Sequence, residues 1–230
     1  MNSVTLTYSE LIRLLKVYTY AFIIVAAILT VGRHVLFEAP LITAAIQSVG
    51  ISILVITTVL GVVTKKAWTS PRWANWLERP VVHGLWWGML YTEYRAKNDQ
   101  PLAPIPIAFV IRQRYLFLSI QSFTKDLPAG STMESLHKDE KTSDVHLSYV
   151  FEMKRHAYAE NKITTGYGAL TLQDSGQKLC GNYWTNSPTQ GRLELTLVQR
   201  DCDSINSFDA AERQWKKSCQ TQEEVVSLTT

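Results

Sequence analysis

The sequence predicts a membrane-anchored all-β protein: two N-terminal transmembrane helices, an eight-stranded antiparallel up-and-down β-barrel, and a short C-terminal helix. Two observations carry this prediction. The first third of the 230-residue chain is strongly apolar, and short runs with period-two alternation fill the region from 81 to 200. We therefore expect a transmembrane hairpin at 1–63, a juxtamembrane linker at 64–80, a barrel at 81–200, and a C-terminal helix and tail at 201–230.

Two apolar segments, at about 14–36 and 41–63, are predicted to cross the membrane. The second holds no charged residue and is long enough for a hydrocarbon core of about 30 Å, which takes about 20 residues. A signal peptide is the alternative for the first segment, but no small-residue cleavage site follows it, and Arg33, His34 and Glu38 intervene. The short connection predicts an antiparallel helical hairpin.

Basic residues flank the two ends of this hairpin, whereas the connection holds only Arg33. The flanking residues are Arg13, Lys16, Lys65, Lys66 and Arg72. Because positive charge favours the cytoplasmic side, we expect both termini and the barrel to be cytoplasmic.

Small and weakly polar residues recur along the second segment. Ala44, Ser48 and Ser52 are spaced by four, with Gln47 alongside, and such a stripe allows close helix contact in lipid. It packs either on the first segment of its own chain or on another protomer. No ionised residue lies mid-membrane, so we expect an anchor and not an ion path.

The linker holds Trp68, Trp73 and Trp76 among basic residues. Two interpretations stay open: the indoles lie at the membrane interface, or they pack on the barrel as part of a short helix.

Eight runs of strand character are predicted at 81–94, 105–113, 115–124, 131–139, 145–154, 166–173, 178–186 and 191–200. In the last run Leu193, Leu195 and Leu197 alternate with mostly polar residues, so each strand has one buried and one mixed face. Hairpin-length connections favour a barrel or a sandwich, since closure removes exposed edges. Such a barrel is filled by side chains or holds one small ligand.

After the last strand, the segment SFDAAERQWKKSC predicts a short helix. Ser207 or Asp209 would cap it, and we expect a loose tail from about residue 220 onwards.

Composition argues against several functions. The net charge of +3 is too small, and the Lys and Arg too dispersed, for a duplex nucleic-acid binder. Cys180, Cys202 and Cys219 fit neither a paired zinc motif nor a disulfide framework, which favours reduced cytosolic thiols. We expect no direct DNA or RNA binding.

Motifs for catalysis are missing from the sequence. It contains no nucleophile elbow, Walker loop or dinucleotide fingerprint. Asp144, His146 and His137 are near one another in sequence, but three ligands without a zinc-type spacing are a weak pattern. We predict no enzyme activity, no metal and no cofactor.

Two stretches carry a family resemblance. PVVHGLWWGMLYTEY opens the barrel with a G-x-W-x-G strand, in which Gly84, Trp86 and Gly88 are the matching residues. LCGNYWTNSPTQGRLELTL holds a G-x-Y-x-T-N-x-x-T-x-G hairpin, matched by Gly181, Tyr183, Thr185, Asn186, Thr189 and Gly191. With two preceding membrane helices, the chain resembles the two-transmembrane, β-strand-rich effectors of bacterial CBASS anti-phage systems.

The resemblance implies a receptor. In that family the barrel binds a cyclic oligonucleotide second messenger, here most simply a cyclic dinucleotide, made by a partner nucleotidyltransferase after infection. Binding drives homo-oligomerisation, and the helices disrupt the lipid bilayer of the inner membrane, which gives abortive infection. The alternative is a membrane-anchored, lipocalin-like binding or assembly protein with an apolar ligand or a protein partner; a polar, Arg-lined lumen would favour the nucleotide.

Candidate binding residues follow from ligand chemistry, since bases stack on aromatic rings and phosphates accept hydrogen bonds from Arg. On the less apolar strand faces these are Trp86, Tyr91, Arg112, Arg114, Tyr167, Tyr183, Trp184, Asn186, Thr189 and Arg192. Alternatives remain: Trp86 or Trp87 is core, the two strand arginines are solvated, and Thr185, Asn186 and Thr189 serve the turn. Tyr183 and Trp184 point to opposite faces and cannot share a pocket.

Overall fold

Strand order follows chain order around a closed antiparallel barrel, and the predicted fold class is confirmed. In this computed structural model the described residues are 8–65, 79–94, 101–139, 141–154, 163–187 and 189–229. The three linker tryptophans lie outside them. The chain divides into a helical unit and a barrel unit, each described here by itself.

The helical unit is an antiparallel pair, α1 (Tyr8–Phe37) and α2 (Leu41–Lys65). Both helices are long and apolar enough to cross a membrane by length and composition. α1 begins earlier than the predicted membrane segment because residues 8–13 are good helix formers that continue the same helix.

The small-residue stripe of α2 is buried within this pair. Ala44, Ser48, Ser52 and Ile56 are at most 8% exposed, and each serine hydroxyl donates to the carbonyl four residues earlier. Within one chain the stripe therefore packs in the helical pair, and its contact with another protomer stays a prediction.

The barrel strands are β1 (Gly84–Thr92), β2 (Ile105–Gln113), β3 (Leu118–Phe123), β4 (Pro128–Lys138), β5 (Val145–Lys154), β6 (Ile163–Gln173), β7 (Lys178–Thr185) and β8 (Gln190–Gln199). Every strand boundary lies within three residues of its prediction. β1 pairs with both β2 and β8, which closes the barrel. The apolar face of each strand points into the lumen, where a fully buried Leu contributes about 1.5–3 kcal/mol.

One end of the lumen is filled. Trp86 is fully buried there and donates its indole Nε1–H to the carbonyl of Val82 at 2.9 Å. The side chain of Gln113 accepts from the amides of Val82 and His83 at 2.8 and 3.2 Å and donates to the carbonyl of Pro80 at 2.9 Å. The segment that enters the barrel is therefore part of its core.

The C-terminal helix α3 (Phe208–Thr229) covers the outside of β1, β2 and β8. Trp215 stacks on Trp87 with ring centroids 4.9 Å apart, so Trp86 is core inside the barrel and Trp87 is buried outside it. Ser207 caps the helix by accepting from the Ala210 amide. The prediction of a loose tail was wrong, because the polar residues beyond 219 include no Gly or Pro and continue the helix.

Inward-facing glycines permit close approach of neighbouring strands. A Cβ at Gly181 would lie 1.9 Å from the Ala169 carbonyl oxygen, which is backbone and cannot move aside. Gly130 on β4 is a contrasting case, because a Cβ there would meet nothing within 4 Å.

We expect Gly181→Ala to lower the free energy of unfolding by about 3 kcal/mol, at the upper end for overpacking. The matched control Gly130→Ala should change it by no more than about 0.5 kcal/mol. Urea unfolding of the full chain in detergent, followed by tryptophan fluorescence, measures both. Equal stabilities of the two variants would contradict this account.

Candidate ligand-binding site

A cavity of about 490 Å³ occupies the end of the lumen opposite Trp86. In an up-and-down barrel, the ends of β1, β3, β5 and β7 meet the starts of the other four strands at one rim, and the cavity lies at this rim. Thr92, Ile105, Thr124, Met153 and Thr164 line it from five of these strand ends. Its volume is in the range of about 300–1,000 Å³ that small-molecule sites occupy.

The lining is divided between hydroxyl-bearing and apolar side chains. Most hydroxyls lie on or after β1 and on β6, β7 and the β7–β8 turn, in Thr92, Tyr94, Thr164, Tyr183, Thr185, Ser187 and Thr189, and others lie on or beside β3 and on β5, in Ser122, Thr124 and Tyr149. Apolar side chains concentrate on β2, β4 and β5, in Ile105, Ile107, Phe109, Ala129, Phe151 and Met153. A ligand with one polar edge and one apolar face matches this division.

Aromatic rings form the floor of the cavity. Tyr149 lies 5.8 Å from Phe109, edge to face, and 5.7 Å from Phe151, between ring centroids. Gly168 and Gly166 make room for the β5 rings, because a Cβ at either position would lie 2.3 Å from the Cζ atom of Tyr149 or Phe151.

The lining is neutral among the described residues, with no carboxylate, guanidinium, ammonium or imidazole. Burial, and then the neighbouring Tyr183, raise the pKa of the Tyr149 phenol far above its usual value. Burial also raises the pKa of Tyr183, against a hydrogen bond with Thr92 that lowers it. Both phenols stay protonated at neutral pH and can donate to a ligand.

The β7–β8 turn is held by its own side chains. Thr185 Oγ1 lies 2.6 Å from the Ser187 carbonyl and 2.6 Å from Thr189 Oγ1. Asn186 accepts from the Thr165 amide at 3.1 Å through its side chain. Thr185, Asn186 and Thr189 therefore all serve the turn, and Thr185 and Thr189 also line the cavity.

Two of the ten predicted binding residues line the cavity. Tyr183 points inward from β7, and Thr189 closes the rim at the turn. Trp184 points outward and is 54% exposed, so the two adjacent rings do lie on opposite faces.

Three more of the predicted residues lie with Trp184 on the outer surface of the barrel. Tyr91 is opposite Arg192 across the β1–β8 pair, and Arg192 forms an exposed ion pair with Glu194 at 2.6 Å. Tyr167 is opposite Trp184, with ring centroids 6.1 Å apart. These four residues form an exposed patch outside the lumen.

Trp86, Arg112 and Arg114 also lie away from the cavity. Trp86 fills the opposite end, under the guanidinium of Arg200 at 5.9 Å. Arg112 donates to Gln121 and, at 2.6 Å, to the Ile205 carbonyl, which fastens the segment after β8. Arg114 is exposed in the β2–β3 turn, where its backbone pairs with Phe117.

Choosing the less apolar strand faces missed most of the cavity, because those faces point out of the barrel. Tyr149 and Phe151 belong to the apolar face of β5, whose alternation is typical of core, and Phe109 belongs to β2, which is apolar on both faces. Their position explains their role: Phe109 and Tyr149 lie in the middle of β2 and β5, where the hollow half of the lumen meets the packed half.

No protein-family model matches the chain, and no curated protein matches it either. What the site can bind is therefore inferred from its geometry. A neutral, hydroxyl-bearing lumen with an aromatic floor can hold one small ligand by stacking and hydrogen bonds.

The two histidines that the sequence analysis considered as metal ligands lie outside this cavity. His137 is opposite His146 across the β4–β5 pair, with ring centroids 5.3 Å apart. Within the described residues no third metal-ligating side chain joins them.

The buried phenol of Tyr149 predicts a loss of stability in alkali. Above about pH 10 the unfolded chain loses this proton while the folded chain keeps it, so stability falls by up to about 1.4 kcal/mol per pH unit. Tyr149→Phe should remove this part of the slope, and Tyr91→Phe, on the exposed outer face, should keep it. The test is to measure the free energy of unfolding of each variant between pH 9 and 11. If it falls with pH equally steeply in wild type and Tyr149→Phe, the buried phenol of Tyr149 is not the cause.

Proposed function

We propose that this protein is a membrane-anchored receptor, in which the barrel lumen binds a cyclic dinucleotide and the helical hairpin responds by oligomerising. The observation that carries the proposal is the cavity of about 490 Å³, with aromatic and hydroxyl groups at one end of a barrel whose other end is packed. The resemblance of the two glycine motifs to CBASS effectors supports the choice of ligand.

The two kinds of lining group suit the parts of such a ligand. Stacking of a base on an aromatic ring contributes about 1–3 kcal/mol in single-strand binders, and Phe109, Tyr149 and Phe151 offer rings. Each hydroxyl hydrogen bond adds about 0.5–1.5 kcal/mol, and Thr185, Thr189 and their neighbours lie on the facing wall. We expect the cavity to bind its ligand without turnover and without a metal or cofactor in the cavity.

The helical hairpin would supply the anchor and the response. We propose that α1 and α2 cross a bacterial inner membrane with both termini in the cytoplasm, as the flanking basic residues favour. Ligand need only bind the self-associating form more tightly; a shift from 1:99 to 99:1 takes about 5.5 kcal/mol of differential affinity. The assembled helices would then disrupt the membrane and cause abortive infection by phage.

A second candidate is an uncharged, amphipathic ligand bound as in a lipocalin. The observation that favours it is the absence of any charged side chain among the described cavity-lining residues. Without arginine contacts, the two phosphates of a cyclic dinucleotide would be held by neutral donors, which bind anions less strongly than charged ones.

Ligand binding to the full chain in detergent tests both candidates. Cyclic di-AMP, cyclic di-GMP and cyclic GMP–AMP are added separately, and melting temperature, affinity and particle size are measured. We expect at least one of them to raise the melting temperature and to produce larger particles. A fluorescent fatty alcohol, which is uncharged and amphipathic, is added in parallel and probes the second candidate.

Two variants locate the site. Ala129 is 9% exposed and lines the cavity, so Ala129→Phe places a ring in the lumen and should weaken binding at least about tenfold, or 1.4 kcal/mol. Trp184→Ala, on the outer face, should leave the affinity unchanged. No response to any of the three cyclic dinucleotides would exclude that ligand class, and a response that survives Ala129→Phe would exclude the lumen.

A further inference from the structure

Three metal-ligating side chains from distant parts of the chain meet where the chain enters and leaves the barrel. His83 precedes β1, and Cys202 and Asp203 follow β8. A ring nitrogen, the thiol sulfur and a carboxylate oxygen of these residues all lie within 4.8 Å of one another. Cys202 is fully buried, His83 is half-buried and Asp203 is exposed.

We propose that His83, Cys202 and Asp203 form a binding site for a transition-metal ion of the zinc class. Nitrogen, thiolate sulfur and carboxylate oxygen are the donors that tetrahedral Zn²⁺ takes, and a thiolate disfavours Mg²⁺ and Ca²⁺. Three protein ligands leave a fourth position for water, on the solvent side where Asp203 lies. The proposed receptor function does not depend on this metal site.

The present hydrogen bonds of the donors are long enough to be exchanged for metal bonds. The backbone N–H of Gln113 donates to His83 Nδ1 at 3.2 Å, and the Cys202 thiol lies 3.6 Å from the Ile111 carbonyl oxygen. An imidazole that binds a metal through one nitrogen carries its proton on the other. Metal binding through either nitrogen of His83 therefore displaces the Gln113 amide.

The protonation states of the two buried donors affect this exchange in opposite directions: the neutral His83 favours metal binding, and the protonated Cys202 thiol must first lose its proton. Burial lowers the pKa of His83, which favours the neutral imidazole that a metal requires. Burial raises the pKa of Cys202 to about 11, against a lowering effect of Arg112. As the sulfur–metal bond forms, the thiol proton passes to solvent.

A bound metal would join the segment before β1 to the segment after β8. Gln113 and Arg200 already hold the incoming segment, since Arg200 donates to the carbonyls of Val81 and His83 at 3.3 and 2.8 Å. Because metal binds the folded chain more tightly than the unfolded chain, it should raise the melting temperature.

Titration of the chelator-treated full chain with Co²⁺ in detergent tests the site. We expect one Co²⁺ per chain and a near-ultraviolet thiolate-to-cobalt absorption. Cys202→Ser should abolish the absorption, whereas Cys180→Ser and Cys219→Ser, matched controls outside the cluster, should keep it. Asp203→Asn changes an exposed residue and should weaken Co²⁺ binding at least about tenfold.

Each of these measurements can overturn the proposed metal site. Absence of the absorption in the wild type, its survival in Cys202→Ser, or its loss in Cys180→Ser or Cys219→Ser would overturn the site. Circular dichroism shows whether Cys202→Ser is folded. If it is not, Asp203→Asn and His83→Gln decide, and unchanged Co²⁺ affinity in either folded variant overturns the proposal.

Discussion

Closure of the barrel depends on how closely its first and last strands approach. Gly88 on β1 and Gly191 on β8 face the lumen, and a Cβ at either position would lie 1.8 or 1.9 Å from a backbone carbonyl oxygen of the opposite strand. Any side chain there would force the two strands apart. Since the lumen, its packed end and the cavity at its rim all require a closed cylinder, these two glycines are the constraint on which they depend.

The fold was predictable because barrels are encoded locally. Period-two alternation and turn residues locate strands, and each hairpin connection places a strand beside its predecessor. Residues that obey local rules, such as the Leu193, Leu195 and Leu197 series, were assigned correctly. The end of α3 was not, because its mostly polar sequence resembles a tail in composition.

The candidate site was less predictable, since a cavity belongs to the cylinder and not to any strand. Sequence reasoning selected polar and aromatic residues by chemistry and found Tyr183 and Thr189. It missed Tyr149 and Phe151, whose alternation identifies them as core without saying which end of the lumen they face. The cluster of His83 with Cys202 was equally hidden, because only closure brings the two ends of the barrel together.

The lumen has a packed half and a hollow half, and substitutions have a different structural cost in each. Around Trp86 and Val82, side chains serve the fold and the attachment of the incoming chain, and most substitutions there carry a structural penalty. Around Ala129 and Met153, side chains border empty space, so they can change with little loss of stability. Chains of this architecture can therefore diverge in ligand preference at the rim while the packing of the segment before β1 stays fixed.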